Sequence, residues 1–109
     1  MKSDIKMVKL EIYIPPDCLD KIREALRSVG AGAFGNYDSV LSYSDVTGCW
    51  RPLPGANPYD GDVGVLCERG EYKVEVCCRS EDLEKTVEAI KAVHPYEEPV
   101  INAIPLMNI

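Results

Sequence analysis

The segment HPYEEP, His94 to Pro99, sets the only histidine of the chain just ahead of two carboxylates, Glu97 and Glu98. An imidazole nitrogen and carboxylate oxygens together suit a divalent transition metal such as copper or zinc. The same groups also match a general base with an orienting acid. His94, Glu97 and Glu98 are therefore the candidate metal ligands, and a divalent metal is the cofactor they would take. A reading without a ligand stands beside it: Pro95 and Pro99 fix turns, the imidazole hydrogen-bonds locally, and the glutamates face water. No second histidine exists to complete a metal shell, and no nucleophile lies near His94 in the sequence. Catalysis is the weakest class, no catalytic residue is assigned, and the fold requires no cofactor.

A second concentration lies in GCWRPLPGANPYDGDVG, which holds the only tryptophan, Trp50, together with Arg51, Asn57 and Tyr59. Tryptophan, tyrosine and arginine are the types that anchor contacts, and long loops on rigid scaffolds often bind ligands. Trp50, Arg51, Asn57, Tyr59, His94 and Tyr96 form the candidate set for a small-molecule ligand. Alternatively, the loop folds back on its own sheet or on a neighbouring subunit, its prolines limiting the unfolded chain.

Other patterns exclude chemistry. GAGAFG, Gly30 to Gly35, matches the dinucleotide fingerprint letter by letter, but that fingerprint needs a strand before it and a helix after it. Here a helix precedes and a strand follows, so the match predicts a helix stop and a turn with positive φ. The five cysteines, at 18, 49, 67, 77 and 78, are odd in number and form no C-x-x-C pair, which speaks for reduced thiols. A net charge of −6 removes the attraction on which phosphate-backbone binding depends, so nucleic acid is not an expected partner. No apolar run approaches the ~18 residues of a membrane span. MKSDIKMVKL also lacks the apolar core of a secretory segment, giving the expectation of a cytoplasmic protein without a membrane partner.

The elements that must position these residues follow from periodicity. Val8, Leu10, Ile12 and Ile14 alternate with Lys9, Glu11 and Tyr13, predicting a half-buried strand closed by Pro15 and Pro16. Asp17 is a natural N-cap for a helix over 17–29, with Leu19, Ile22, Leu26 and Val29 on one side and Gly30 at its end. YDSVLSYSD predicts a second strand over 37–45, and the chain from Val46 to Asp62 reads as a loop or irregular hairpin. VGVLCER and EYKVEVCCR predict strands meeting at a turn at Gly70. Ser80 caps a second helix whose stripe is Leu83, Val87, Ile90 and Val93, Pro95 ends it, and PVINAIPL supplies the last strand.

That order predicts a single α+β domain over 1–109 with a ferredoxin-like βαββαβ fold, an antiparallel sheet with both helices on one face. The other face would carry Lys9, Glu11, Tyr13, Lys73, Glu75 and Cys77. It would be either solvated or covered by another copy of the chain.

The motifs GAGAFGNYDSV, GCWRPLPGANPYDGDVG and HPYEEP, separated and in this order, resemble the P-II-like, CutA-like inserted domain of the NGG-interacting-factor family. VHPYEEPVINAIPL is also similar to the end of the CutA divalent-cation-tolerance proteins. The resemblance covers almost the whole chain, which is expected to stand alone as this domain. It implies the ferredoxin-like fold and, by the example of CutA and P-II proteins, a homo-oligomer, with a trimer favoured. The family's dinuclear metal site belongs to its flanking domains, so hydrolase or cyclohydrolase activity is not carried over. Nucleotide binding of the P-II kind is not carried over either, because no basic phosphate-binding run is present. The expectation is a non-enzymatic oligomer with a regulatory or ligand-sensing role. Its alternative is copper or zinc binding related to cation tolerance.

Overall fold

Val8, Leu10, Ile12 and Ile14 are all buried in β1 (Met7–Ile14), and their alternation with half-buried neighbours runs the length of the strand. The computed structural model describes residues 5–107; residues 1–4, part of the stretch read for a secretory segment, and 108–109 lie outside the described residues. β1 is followed by α1 (Leu19–Ser28), β2 (Ser42–Trp50), β3 (Cys67–Arg79), α2 (Leu83–Val93) and β4 (Ile101–Leu106). The strands lie in the order β2-β3-β1-β4 and every neighbouring pair is antiparallel. This is the ferredoxin-like arrangement, with both helices over one face.

The core sits between that face and the helices. Leu10, Ile12, Ile14, Ile22, Leu26, Val74 and Ile90 are fully or almost fully buried in one cluster. Fully burying an aliphatic side chain contributes about 1.5–3 kcal/mol, so this layer fixes the helices on the sheet. Thr86, not part of the predicted stripe, is also fully buried. Its hydroxyl donates to the Asp82 carbonyl at 2.7 Å, which lets a polar residue occupy the apolar face.

α1 ends as the glycine predicts. Gly30 has φ +79, and the Ala31 and Gly30 amides donate to the Leu26 and Arg27 carbonyls, the paired bonds of a Schellman motif. Gly32, φ +82, brings the chain so close to Val40 that a Cβ would come within 2.8 Å of the Val40 carbonyl oxygen. GAGAFG is thus a helix stop and a close backbone crossing.

Several boundaries differ from expectation. Neither Asp17 nor Ser80 caps a helix: each lies in a 3-10 turn, Pro16–Cys18 and Ser80–Asp82, that precedes the α-helix proper. The Ser80 hydroxyl instead donates to the Ile5 carbonyl. β2 begins at Ser42 and continues through Trp50, where a loop was expected from Val46. No turn occurs at Gly70, which pairs with Thr47 inside an uninterrupted β3, and Val63 to Leu66 belong to the connection before it. β4 begins at Ile101, after Pro99 and Val100.

The differences in β2 and β3 have one cause, a long two-stranded ribbon. β1 pairs with β3 only over Tyr72 to Arg79, because Pro15 and Pro16 turn the chain away. Cys67 to Glu71 therefore pair on one side only, with Val46 to Trp50. The ribbon projects past β1, with Thr47, Cys49, Glu68, Arg69 and Gly70 exposed, and leaves a step beside Glu71. On the sheet face away from the helices, Lys9 pairs with Glu75 and Lys73 with Glu11, with partly buried side chains. Among the described residues, no helix is long and apolar enough to cross a membrane.

Candidate functional site

The HPYEEP corner fills the step beside the ribbon. α2 stops at Val93, and His94 takes extended dihedrals (φ −75, ψ 129), as the residue before a proline prefers. Its ring turns inward and is 8% exposed. Nε2 lies 2.8 Å from the Tyr13 carbonyl oxygen, and the Tyr96 amide donates to Nδ1 at 3.2 Å. A carbonyl only accepts, so the proton resides on Nε2, and both nitrogens are occupied. Burial lowers the His94 pKa from its ordinary 6.5, opposed by the Tyr13 hydrogen bond and the Glu71 carboxylate.

Tyr96 ties the corner to the ribbon. Its hydroxyl donates to Glu71 Oε2 at 2.7 Å, and Glu71 is only 6% exposed. Burial, followed by the hydrogen bond to Glu71, raises the Tyr96 pKa far above the ordinary tyrosine range. The Glu71 side chain lies across Gly48 on the neighbouring strand, where a Cβ would stand 1.9 Å from Oε1. Gly48 is needed for that close approach.

The loop between β2 and β3 closes over the same point. Leu53 to Ala56 form a turn in which the Ala56 amide donates to the Leu53 carbonyl, with Pro54 and Gly55 (φ +97) at its centre, the pattern of a type II turn. The Trp50 indole N–H donates to the Asp60 carbonyl at 3.1 Å, and the Asp60 carboxylate holds Arg69 at 2.8 and 3.3 Å. The Asn57 amide donates to both oxygens of Glu97, at 3.0 and 3.2 Å. The Trp50, Tyr59 and His94 rings stand 6.0, 5.9 and 4.9 Å from that of Tyr96. Loop and corner, separate in the sequence, meet within one chain.

Between them opens a cleft of about 730 Å³. Of the predicted ligand-binding residues, Trp50, Arg51, Tyr59 and Tyr96 line it. His94 and Asn57 do not; they hold Tyr96 and Glu97 from behind. The expected metal set is not gathered: His94 faces Tyr13, Glu97 faces the Asn57 amide, and Glu98 opens on the cleft. Among the described residues, no group of three or more His, Cys, Asp and Glu side chains is placed to hold a metal ion. Glu71, central to the site, was missed. Nothing in the sequence separates it from Glu68 or Glu75, because its distinction is the contact with Tyr96.

Cys49, the cysteine lining the cleft, is a poor nucleophile. Partial desolvation and the Glu68 carboxylate, 3.5 Å from its sulfur, raise its pKa from the ordinary 9.0.

Fold and corner together define a CutA-like, P-II-like domain. The chain overlays the divalent cation tolerance protein CutA from Archaeoglobus fulgidus over 94% of its own length and 85% of that protein, with a TM-score of 0.69 and 19% identity. At that identity the likeness is one of fold. Against a Bacillus cereus protein related to NIF3 the TM-score is 0.83 at 29% identity, covering 98% of this chain and 27% of that one. Two curated relatives, each named GTP cyclohydrolase 1 type 2 homolog, are similar in sequence. That of Halalkalibacterium halodurans is 38% identical over 102 residues and that of Bacillus subtilis 33% over 98 residues. They cover 94% and 90% of this chain, which spans only 27% and 26% of their lengths. No protein-family model matches. The resemblance to the inserted domain of the NGG-interacting-factor family and to CutA therefore holds in sequence and in fold respectively.

Proposed function

We propose that this chain is a non-enzymatic, self-associating CutA-like domain that takes a small ligand in the cleft between ribbon, loop and corner, in a regulatory or sensing role. The observation that carries this reading is the cleft itself: a volume of about 730 Å³, suited to a small molecule, above a carboxylate buried at 6% exposure. Building such a site takes a glycine beneath the Glu71 side chain, a tyrosine reaching across from the corner, and a loop held by backbone hydrogen bonds. A connection that merely joined two strands would need none of these.

Self-association is supported by exposed apolar side chains, notably Val63, Val65 and Leu66 just before β3, and by the partly buried ion pairs on the uncovered sheet face. Cyclohydrolase chemistry is not proposed for this segment. The named relatives are about three and a half times its length, and both His94 nitrogens are engaged.

Native mass spectrometry of the protein purified from its own cells tests this reading, since it reports subunit number and retained small molecules together. The expected result is a homo-oligomer with added mass per subunit. A bare monomer across micromolar concentrations would overturn the proposal.

A further inference from the structure

The charges of the cleft do not balance. Glu71 is 94% removed from solvent by its 6% exposure, and only its Oε2 has a hydrogen-bond partner, the Tyr96 hydroxyl. Glu71 lines the cleft, and its Oε1, lying over Gly48, has no hydrogen-bond partner among the described residues. Among the described residues, no lysine or arginine lies within ion-pair distance of Glu71. Glu97 and Glu98 add carboxylates around the cleft, Asp60 is already taken by Arg69, and the single cation lining the space is Arg51, exposed and without an ion pair among the described residues. A carboxylate withdrawn from water calls for a positive partner.

The walls specify what kind of partner. Trp50 and Tyr59 stand about Tyr96 at ring separations of 6.0 and 5.9 Å, and Pro52, Leu53 and Val100 add apolar surface. Aromatic faces attract cations within about 6 Å and also accept an apolar stem. A bare metal ion would use neither feature, and an anion would meet uncompensated carboxylates.

We infer that the cleft binds a small organic cation, a primary ammonium or guanidinium on a short apolar stem, with its head against Glu71 Oε1 and its stem on the rings of Trp50, Tyr59 and Tyr96. This names the ligand class for the cleft proposed above and rests on that reading.

Trp50, the only tryptophan in the chain, reports on the cleft directly. Its emission is titrated with n-butylammonium and n-butylguanidinium, and in parallel with the neutral pentan-1-ol and the anion pentanoate. The cations are expected to give a saturable change at concentrations about tenfold below pentan-1-ol, and pentanoate none. Glu71→Gln, which keeps an acceptor for Tyr96, should erase that advantage, while Tyr59→Leu should weaken the cations by about two- to fivefold. If Glu71→Gln loses the native circular dichroism, the comparison of charged and neutral probes on the wild type, with Tyr59→Leu, decides. Pentan-1-ol binding as well as the cations would overturn the cationic ligand and leave the cleft a ligand site. No emission change with any probe would overturn both.

Discussion

Tyr96 donates its hydroxyl proton to Glu71 across 2.7 Å, and the two residues are 25 positions apart in the chain. That bond joins the corner after α2 to the ribbon that outruns β1, and it gives the cleft its back wall.

The bond should be visible in stability. Tyr96→Phe removes the donor and leaves a buried carboxylate without its partner, a loss of about 1–3 kcal/mol. In a double-mutant cycle with Glu71→Ala, which removes the acceptor, read from urea midpoints, the coupling should exceed about 0.5 kcal/mol. Strict additivity would mean that the contact does not form in solution.

Gly48→Ala tests the close crossing from the other strand. The new methyl would stand where Glu71 Oε1 lies 1.9 Å away, so the carboxylate must leave Tyr96. A destabilisation of about 1–3 kcal/mol is expected, carried by the lost bond. The same substitution in Tyr96→Phe should cost much less.

His94 sets a pH dependence. Its pKa is lowered in the fold from 6.5, so below pH 6.5 the unfolded chain binds a proton that the folded chain resists. The contribution is complete above pH 6.5 and is lost as pH falls towards the folded value. Urea midpoints should therefore drop between pH 7 and pH 5, and His94→Gln should flatten that drop. An unchanged slope in the variant would show that the ring is not buried neutral.

Tyr96 titrates at the opposite end. Its raised pKa keeps the phenol protonated where an ordinary tyrosine, near 10, ionises, and the stabilisation fades as pH rises beyond that value. Absorbance at about 295 nm should show the same phenolate amplitude near pH 10 in wild type and Tyr96→Phe. A smaller amplitude in the variant would place Tyr96 among the exposed tyrosines.

How much could be read from the sequence depended on packing. β1 and the second half of β3 announce themselves because each has one face on the core, with Leu10, Ile12, Val74 and Val76 spaced by two. The ribbon is different. β2 is mostly exposed, so no buried face imposes alternation on SYSDVTGCW, and its sequence looks like a loop. Gly70 reads as a turn because glycine weakens strands, yet in a projecting ribbon opposite Thr47 it stays extended. The site was half legible: Trp50, Arg51, Tyr59 and Tyr96 stand out by type, whereas Glu71 gains its role only from a contact across 25 residues. HPYEEP misled in the other direction, because adjacency says nothing of direction. His94 turns into the protein towards Tyr13, and Glu97 turns to the Asn57 amide.

The central claim is that loop and corner make one site inside a single chain, and the lone indole N–H tests it most directly by nuclear magnetic resonance. Labelled wild-type chains are refolded with an excess of unlabelled Tyr96→Phe chains, so that any assembly is mixed. The Trp50 indole resonance should stay at its wild-type position, while labelled Tyr96→Phe shifts it. A second indole peak from labelled wild-type chains in the mixture would show that Trp50 packs against the Tyr96 of a neighbouring subunit, and would contradict the single-chain site.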